Sequence, residues 1–99
     1  MSDALQRLIE AVDGGSWPGD TAQQLGEECH LRAYAAFNGS LDAAKYLHDA
    51  LLPGWHRELC DFFVRLRCGP KMGFADVRDG NLGRAWLLAI LRAYQQVQQ

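Results

Sequence analysis

Apolar residues near the N-terminus recur every three or four positions, which is the spacing of one face of a helix. The pattern predicts a helix over 3–13 that ends at Gly14-Gly15. A second helix is predicted to begin at Asp20, whose side chain is a suitable N-cap, and to run to about Phe37. The first third of the chain is therefore predicted to be helical.

The clearest helical pattern covers 40–51. Ser40 is predicted to cap its N-terminus, apolar side chains follow one face, and Pro53 ends it. The same reasoning predicts a C-terminal helix over 82–97 with Asn81 as its N-cap. These two helices flank a stretch with a different pattern.

In that stretch the hydrophobic period changes to two. Over 60–68, apolar side chains alternate with polar or charged ones, which is typical of a strand with one solvated face. A turn at Gly69-Pro70 and a return strand over 72–78 would complete a β-hairpin. A helix over 55–67 fits the apolar spacing as an alternative.

The order of elements is therefore helix, helix, helix, hairpin, helix. With 99 residues, of which 48% are hydrophobic, we expect one α+β domain over 1–99, in which helices pack on the hairpin in a layered sandwich. The C-terminal helix has an unusually wide apolar surface. Its second apolar stripe, Leu87, Leu91 and Tyr94, places the helix either at the centre of the fold or at a self-association surface of a possible homodimer.

Charge is unevenly distributed although the net charge is only −2. Residues 1–54 carry three cations and eight acids, which sum to −5, whereas residues 55–99 carry seven cations and four acids, which sum to +3. No apolar run approaches the roughly 18 residues that span a bilayer, and no secretory signal is present. We therefore expect a cytoplasmic protein without a membrane partner, and its three cysteines are expected to be free thiols.

The cations of the second half predict a binding surface on the hairpin and its surroundings. The predicted partner-binding residues are Arg65, Arg67, Lys71, Arg78, Arg84 and the aromatic Phe63. Such a cluster suits an acidic protein surface, with the phenyl ring as an anchor, or alternatively a nucleic acid, with the ring stacking on bases. The same cations would also protect an exposed edge strand against aggregation.

The residues that could carry chemistry do not combine into a site. His56, Cys60 and Cys68 are metal-ligand types, but an extended strand would separate its two end cysteines by roughly 26 Å. A nucleophilic pair of Cys60 with His48 or His56 stays open, although neither an oxyanion hole nor a phosphate-binding loop accompanies it. We therefore predict no catalytic residue, metal or cofactor.

Part of this pattern resembles a family of small tailed-phage and prophage proteins, the phage ABA sandwich domain family, mainly over 33–97. The matching residues are Tyr34, Ser40, Leu41, Asp42, Ala43, Ala44, Pro53, Gly54 and Trp55. The resemblance implies a layered α-β-α sandwich without an assigned enzymatic activity. It further implies a non-enzymatic phage or prophage accessory protein in the bacterial cytoplasm that binds a host or phage protein, with an inhibitor of host defence of the anti-CRISPR type as its sharpest form.

Overall fold

The fold was analysed in a computed structural model that describes residues 3–98. It is an α+β domain with one antiparallel three-stranded sheet in the order β1-β2-β3. The longer elements are α1 (Asp3–Asp13), α3 (Glu27–Phe37), α4 (Leu41–Leu51), β1 (His56–Leu59), β2 (Phe63–Cys68), β3 (Lys71–Asp76) and α5 (Leu82–Gln98). Between α1 and α3 lie a single helical turn, α2 (Gly19–Ala22), and a 3₁₀ turn over Gln23–Leu25.

Three of the predicted helices are confirmed with their caps. Helix α1 ends at the predicted glycine pair, where Gly15 adopts a φ of 87° that favours glycine. At the start of α4, Ser40 Oγ accepts a hydrogen bond from the Ala43 amide at 3.1 Å. Asn81 Oδ1 accepts one from the Arg84 amide at 3.0 Å and so caps α5.

The predicted single helix over 20–37 is wrong, because Gly26 divides it. Gly26 has a φ of 93°, which is incompatible with a continuing helix, and α3 begins at the next residue. Asp20 lies within the short α2 and not at its N-cap, which is Pro18. The two acidic residues that follow the glycine, Glu27 and Glu28, occupy the first turn of α3, where they interact favourably with the helix dipole.

The predicted hairpin is part of a larger sheet. Residues His56–Leu59 form an additional strand, so the alternative helix over 55–67 is wrong. Asp61 and Phe62 form the turn between β1 and β2, across which the Cys60 amide donates to the Phe63 carbonyl at 3.1 Å. The predicted strand over 60–68 therefore begins three residues too early, because β2 starts at Phe63 and the turn precedes it.

The inner face of the sheet packs against α5. Val64 and Leu66 of β2 and Ala75 of β3 are fully buried on this face, opposite the buried alanines of α5. Gly73 lies among them, and a Cβ atom there would clash with the α5 backbone. The small residues of β3 thus allow α5 to approach the sheet closely.

Helix α5 is the centre of the fold, because it contacts β2, β3, α1, α3 and α4. Leu87 and Leu91 are 0% exposed and Tyr94 is half-buried. The two leucines are therefore core residues, and their predicted role in self-association is wrong. Helix α5 packs on β2 and β3, and none of the side chains on the opposite face of the sheet is fully buried. Within residues 3–98, none of the helices has both the length and the apolar composition to cross a bilayer.

Candidate partner-binding surface

The face of the sheet that points away from α5 is accessible to solvent, and we call it the open face. Its side chains alternate with the buried ones along each strand, as the register requires. The open face consists of His56, Glu58, Phe63, Arg65, Arg67, Met72, Phe74 and Asp76. Each of these side chains is half-buried or exposed.

Two aromatic rings form the centre of the open face. Phe63 and Phe74 stack with their centroids 5.7 Å apart and their planes inclined by 24°. The Arg65 guanidinium lies 5.8 Å from the Phe63 ring and is the cross-strand neighbour of Phe74. Phe74 is 38% exposed, and the neighbouring Met72 is also exposed. Aromatic, Met and Arg side chains of this kind are enriched at the centres of protein interfaces.

The charges of the open face nearly cancel. Arg65 Nε donates to Glu58 Oε1 at 2.9 Å, and the two residues are directly opposite each other on β1 and β2. Arg67 adds one positive charge and Asp76 one negative charge, so two cations balance two carboxylates. Exposed ion pairs add little to stability, but they set the electrostatic pattern that a partner meets.

The β1–β2 turn extends the apolar surface beyond the open face. Phe62 is 78% exposed, which is unusual for a phenylalanine, and Leu59 at the end of β1 is 38% exposed. The predicted strand over 60–68 included Cys60 and Phe62, and that part of the prediction is wrong, because the turn removes both residues from the strand.

Arg78, one of the predicted binding residues, has a structural role at the C-terminus of α1. Its Nη1 donates to the Asp13 carbonyl at 2.8 Å, and its Nη2 lies 3.1 Å from Asp13 Oδ1. A cation at this position also interacts favourably with the helix dipole. Arg78 therefore joins α1 to the segment that follows β3, apart from the open face.

Arg84 is likewise engaged within the fold. Its Nε donates to the Phe37 carbonyl at 3.1 Å, and its guanidinium lies 4.0 Å above the Phe37 ring. Arg78 and Arg84 both line a pocket of about 170 Å³ between α1 and the start of α5. The structure therefore divides the predicted cation cluster: Phe63, Arg65 and Arg67 lie together, Lys71 is exposed at the β2–β3 turn, and Arg78 and Arg84 lie elsewhere.

His48, one of the two histidines considered as a partner for Cys60, is packed into the core. His48 is 2% exposed, its Nε2 is 3.1 Å from the Trp55 carbonyl, and its ring lies against Trp86. Burial lowers the pKa of the imidazole, and the hydrogen bond to Trp55 opposes this only in part. Its Nε2 thus contacts a backbone carbonyl, and its buried Nδ1 has no hydrogen-bond partner among the described residues.

The candidate metal ligands are distributed over the fold. Cys60 lies beside the β1–β2 turn, whereas Cys68 lies at the other end of β2. Across the part of the chain that the structure describes, no three His, Cys, Asp or Glu side chains come close enough to hold a metal ion. Cys29, Cys60 and Cys68 are free, which agrees with the expectation of free thiols.

Comparison of the chain with protein-family models, curated proteins and solved structures finds no match. The resemblance to phage sandwich proteins therefore stays a prediction. The function of the open face has to be inferred from its own geometry. Of the residues on this face, Phe63, Arg65 and Arg67 were predicted from the sequence. Met72 and Phe74 were missed, although they lie at alternate positions in the predicted return strand.

Proposed function

We propose that this protein is a non-enzymatic binding module that recognises a protein partner through the open face. The observation that carries this proposal is the stacked pair of Phe63 and Phe74 at the centre of a sheet face that no helix covers. An accessible aromatic pair flanked by Arg65 has the composition of an interaction hot spot. The balanced charges around it favour a partner surface of mixed charge over a polyanion.

The test compares variants of the open face with matched variants on the helices. Phe74→Ser removes a central ring, and Arg67→Glu reverses an exposed charge. Leu31→Ser removes an exposed apolar side chain from α3, and Arg7→Glu reverses an exposed charge on α1. A protein captured from a bacterial lysate should be purified and its affinity for each variant measured by calorimetry.

We expect the two open-face variants to weaken binding at least tenfold and the two control variants to change it less than threefold. Hot-spot residues contribute a large share of binding energy, whereas residues outside an interface contribute little. Equal affinity of all four variants for the partner would contradict the proposal. Circular dichroism of each variant should match that of the natural chain, because every substituted side chain is exposed or only partly buried.

A more specific form of the proposal follows from the phage resemblance. In this form the protein acts in the bacterial cytoplasm and inhibits a host defence protein, as an anti-CRISPR does. The measurement is the plating efficiency of a targeted phage on bacteria with an active CRISPR system that express either the natural chain or Phe74→Ser. Protection by the natural chain alone would support it, whereas equal plating on both strains would contradict it.

Binding of single-stranded nucleic acid is the second candidate, because a pair of exposed rings on an antiparallel sheet is also a stacking platform for bases. The balanced charge of the open face weighs against it. Fluorescence anisotropy with a 20-nucleotide oligothymidine at several salt concentrations separates the two functions. A steep loss of affinity with rising salt would indicate phosphate contacts and favour this candidate. Absence of binding at low salt would exclude it.

A further inference from the structure

The two edges of the sheet differ in how their backbone groups are satisfied. On β3, Met72 and Phe74 direct their backbone groups away from β2. Gln96 Oε1 accepts from the Met72 amide at 3.2 Å, and Gln96 Nε2 donates to the Met72 carbonyl. Arg92 Nη1 donates to the Phe74 carbonyl at 2.7 Å. Side chains of α5 therefore occupy the β3 edge and prevent a further strand from pairing there.

The β1 edge has no such cover. Because the Cys60 amide donates to the Phe63 carbonyl, alternate residues of β1 bond to β2, which leaves the backbone groups of Arg57 and Leu59 directed outward. Among the described residues, no side chain hydrogen-bonds to these outward groups. On the inner face the Arg57 side chain reaches the helices, since it pairs with Asp49 of α4 at 3.5 Å and lies 5.5 Å from the Trp86 ring of α5, but these contacts do not reach the outward backbone groups. The β1 edge thus presents two amides and two carbonyls in the spacing of a strand.

We propose that the β1 edge binds an extended segment of a protein partner, which adds to the sheet as a fourth strand. This inference rests on the proposed function and specifies how the partner docks. The ligand class is an extended polypeptide, because the amides and carbonyls of Arg57 and Leu59 repeat at the two-residue spacing with which the backbone of another strand pairs. Exposed Leu59 and Phe62 lie at the end of this edge and supply apolar contacts for the segment.

The charges of β1 disfavour a second copy of this chain as the occupant. In a symmetric antiparallel pair, the outward groups of Arg57 and Leu59 can meet in three registers. Two of these place Arg57 opposite Arg57, or Glu58 opposite Glu58, and like charges in these positions are destabilising. The third register places Leu59 opposite Leu59. In it Arg57 would have to pair with Asp61, which lies in the turn, so only the two Leu59 residues form a complete hydrogen-bonded pair. A segment of a different protein has none of these conflicts.

The register also sets the chemistry of the segment. The residue opposite Leu59 should be apolar, because it meets a side chain that is already partly exposed. The residue opposite Glu58 lies in a close, non-hydrogen-bonded position on the open face and should not be acidic. The segment would therefore continue the open face by one strand.

The probe is a set of fluorescent peptides selected from a random 12-residue display library on the natural chain. Leu59→Pro removes an outward amide without breaking a bond to β2, and proline is tolerated at this kind of edge position. Leu59→Val keeps both the amide and an apolar side chain and is the matched control. If Leu59→Pro does not fold, N-methyl-Leu59 can be introduced by chemical ligation at Cys60.

We expect Leu59→Pro, or N-methyl-Leu59, to weaken peptide binding at least tenfold in fluorescence anisotropy, and Leu59→Val to change it less than threefold. The selected peptides should carry an apolar residue, and alternate N-methylation of their backbone should abolish binding. Failure to select any peptide, or equal binding by the proline and valine variants, would overturn the inference.

The same variants distinguish this inference from the proposed function. With the purified partner, loss of affinity in Phe74→Ser but not in Leu59→Pro would leave the open face as the binding surface and overturn strand addition. Loss in Leu59→Pro but not in Phe74→Ser would support strand addition and contradict the open face. Unchanged affinity in both would contradict both proposals.

Discussion

The close contact between β3 and α5 allows us to predict how much a larger residue at Gly73 would destabilise the fold. A Cβ atom at this position would lie 2.8 Å from Ala93 Cβ, 2.9 Å from Ala93 N and closer still to the Ala89 carbonyl oxygen. Two of these three atoms belong to the backbone of α5, so a change of side-chain rotamer cannot move them away. In Gly73→Ala the helix and the sheet must therefore separate.

The size of the effect follows from these distances. Carbon atoms in ordinary contact lie about 3.5–4.0 Å apart, so the variant requires a separation of roughly 0.7 Å or more. Overpacking of a core costs about 1–3 kcal/mol, and the lower conformational entropy of the unfolded chain without this glycine offsets less than about 1 kcal/mol of that cost. We expect Gly73→Ala to lower the free energy of unfolding by about 2 kcal/mol, which corresponds to a decrease in Tm of roughly 8–16 °C.

The assay is urea denaturation followed by tryptophan fluorescence, with thermal unfolding followed by circular dichroism. Gly19→Ala is the matched control, because no heavy atom lies within 4 Å of the added Cβ and the backbone there is not in the left-handed region. We expect this control to change stability by less than about 0.5 kcal/mol. Equal stability of the Gly73→Ala and Gly19→Ala variants would refute the close approach of α5 to β3.

Three further predictions concern caps and buried polar groups. Ser40→Ala should lower the free energy of unfolding by about 1 kcal/mol in urea denaturation, while Ser40→Asp keeps the cap and should change it little. The pKa of His48 is lowered in the folded state, so stability should fall as pH decreases from 7 to 5, because the unfolded imidazole binds a proton near pH 6.5. His48→Gln should lack this decrease, and an equal slope would contradict the buried neutral imidazole. Arg84→Lys should lower the free energy of unfolding by about 1 kcal/mol, because lysine has no planar group that can both stack on the Phe37 ring and donate to the Phe37 carbonyl. An unchanged midpoint of urea denaturation would show that these contacts contribute nothing to stability.

Much of the fold could be predicted because its helices begin and end at residues with strong local preferences. Serine and asparagine are favoured N-caps, and Ser40 and Asn81 each precede an apolar helical pattern. Both N-cap predictions are confirmed. Gly26 was the missed signal in the N-terminal half, since a glycine followed by two acidic residues marks the start of a new helix. Strand β1 could not be predicted from periodicity, because it has only 4 residues and Arg57 on its inner face is charged, so apolar and polar side chains do not alternate.

The predicted site failed in part because neighbours in sequence were taken as neighbours in space. Arg65 and Arg67 share a strand face by the two-residue period, and this local rule holds. Arg78 and Arg84 lie beyond β3, and their positions depend on how α1 and α3 pack against α5. Their contacts with Asp13 and Phe37 join residues that are far apart in the chain, so no local pattern could have indicated them.

These long-range contacts also change what the positive charge of the second half means. The ion pairs of Arg65 with Glu58 and of Arg78 with Asp13 neutralise two of the five predicted cations, and Arg84 is packed on an aromatic ring. Of these five cations, Arg67 and Lys71 have no side-chain partner among residues 3–98. A surface with so few unpaired cations is poorly suited to binding phosphates, whereas the stacked rings beside it are suited to a protein interface. The sum of +3 over residues 55–99 therefore describes the chain and not the open face, and the aromatic pair carries the proposed function.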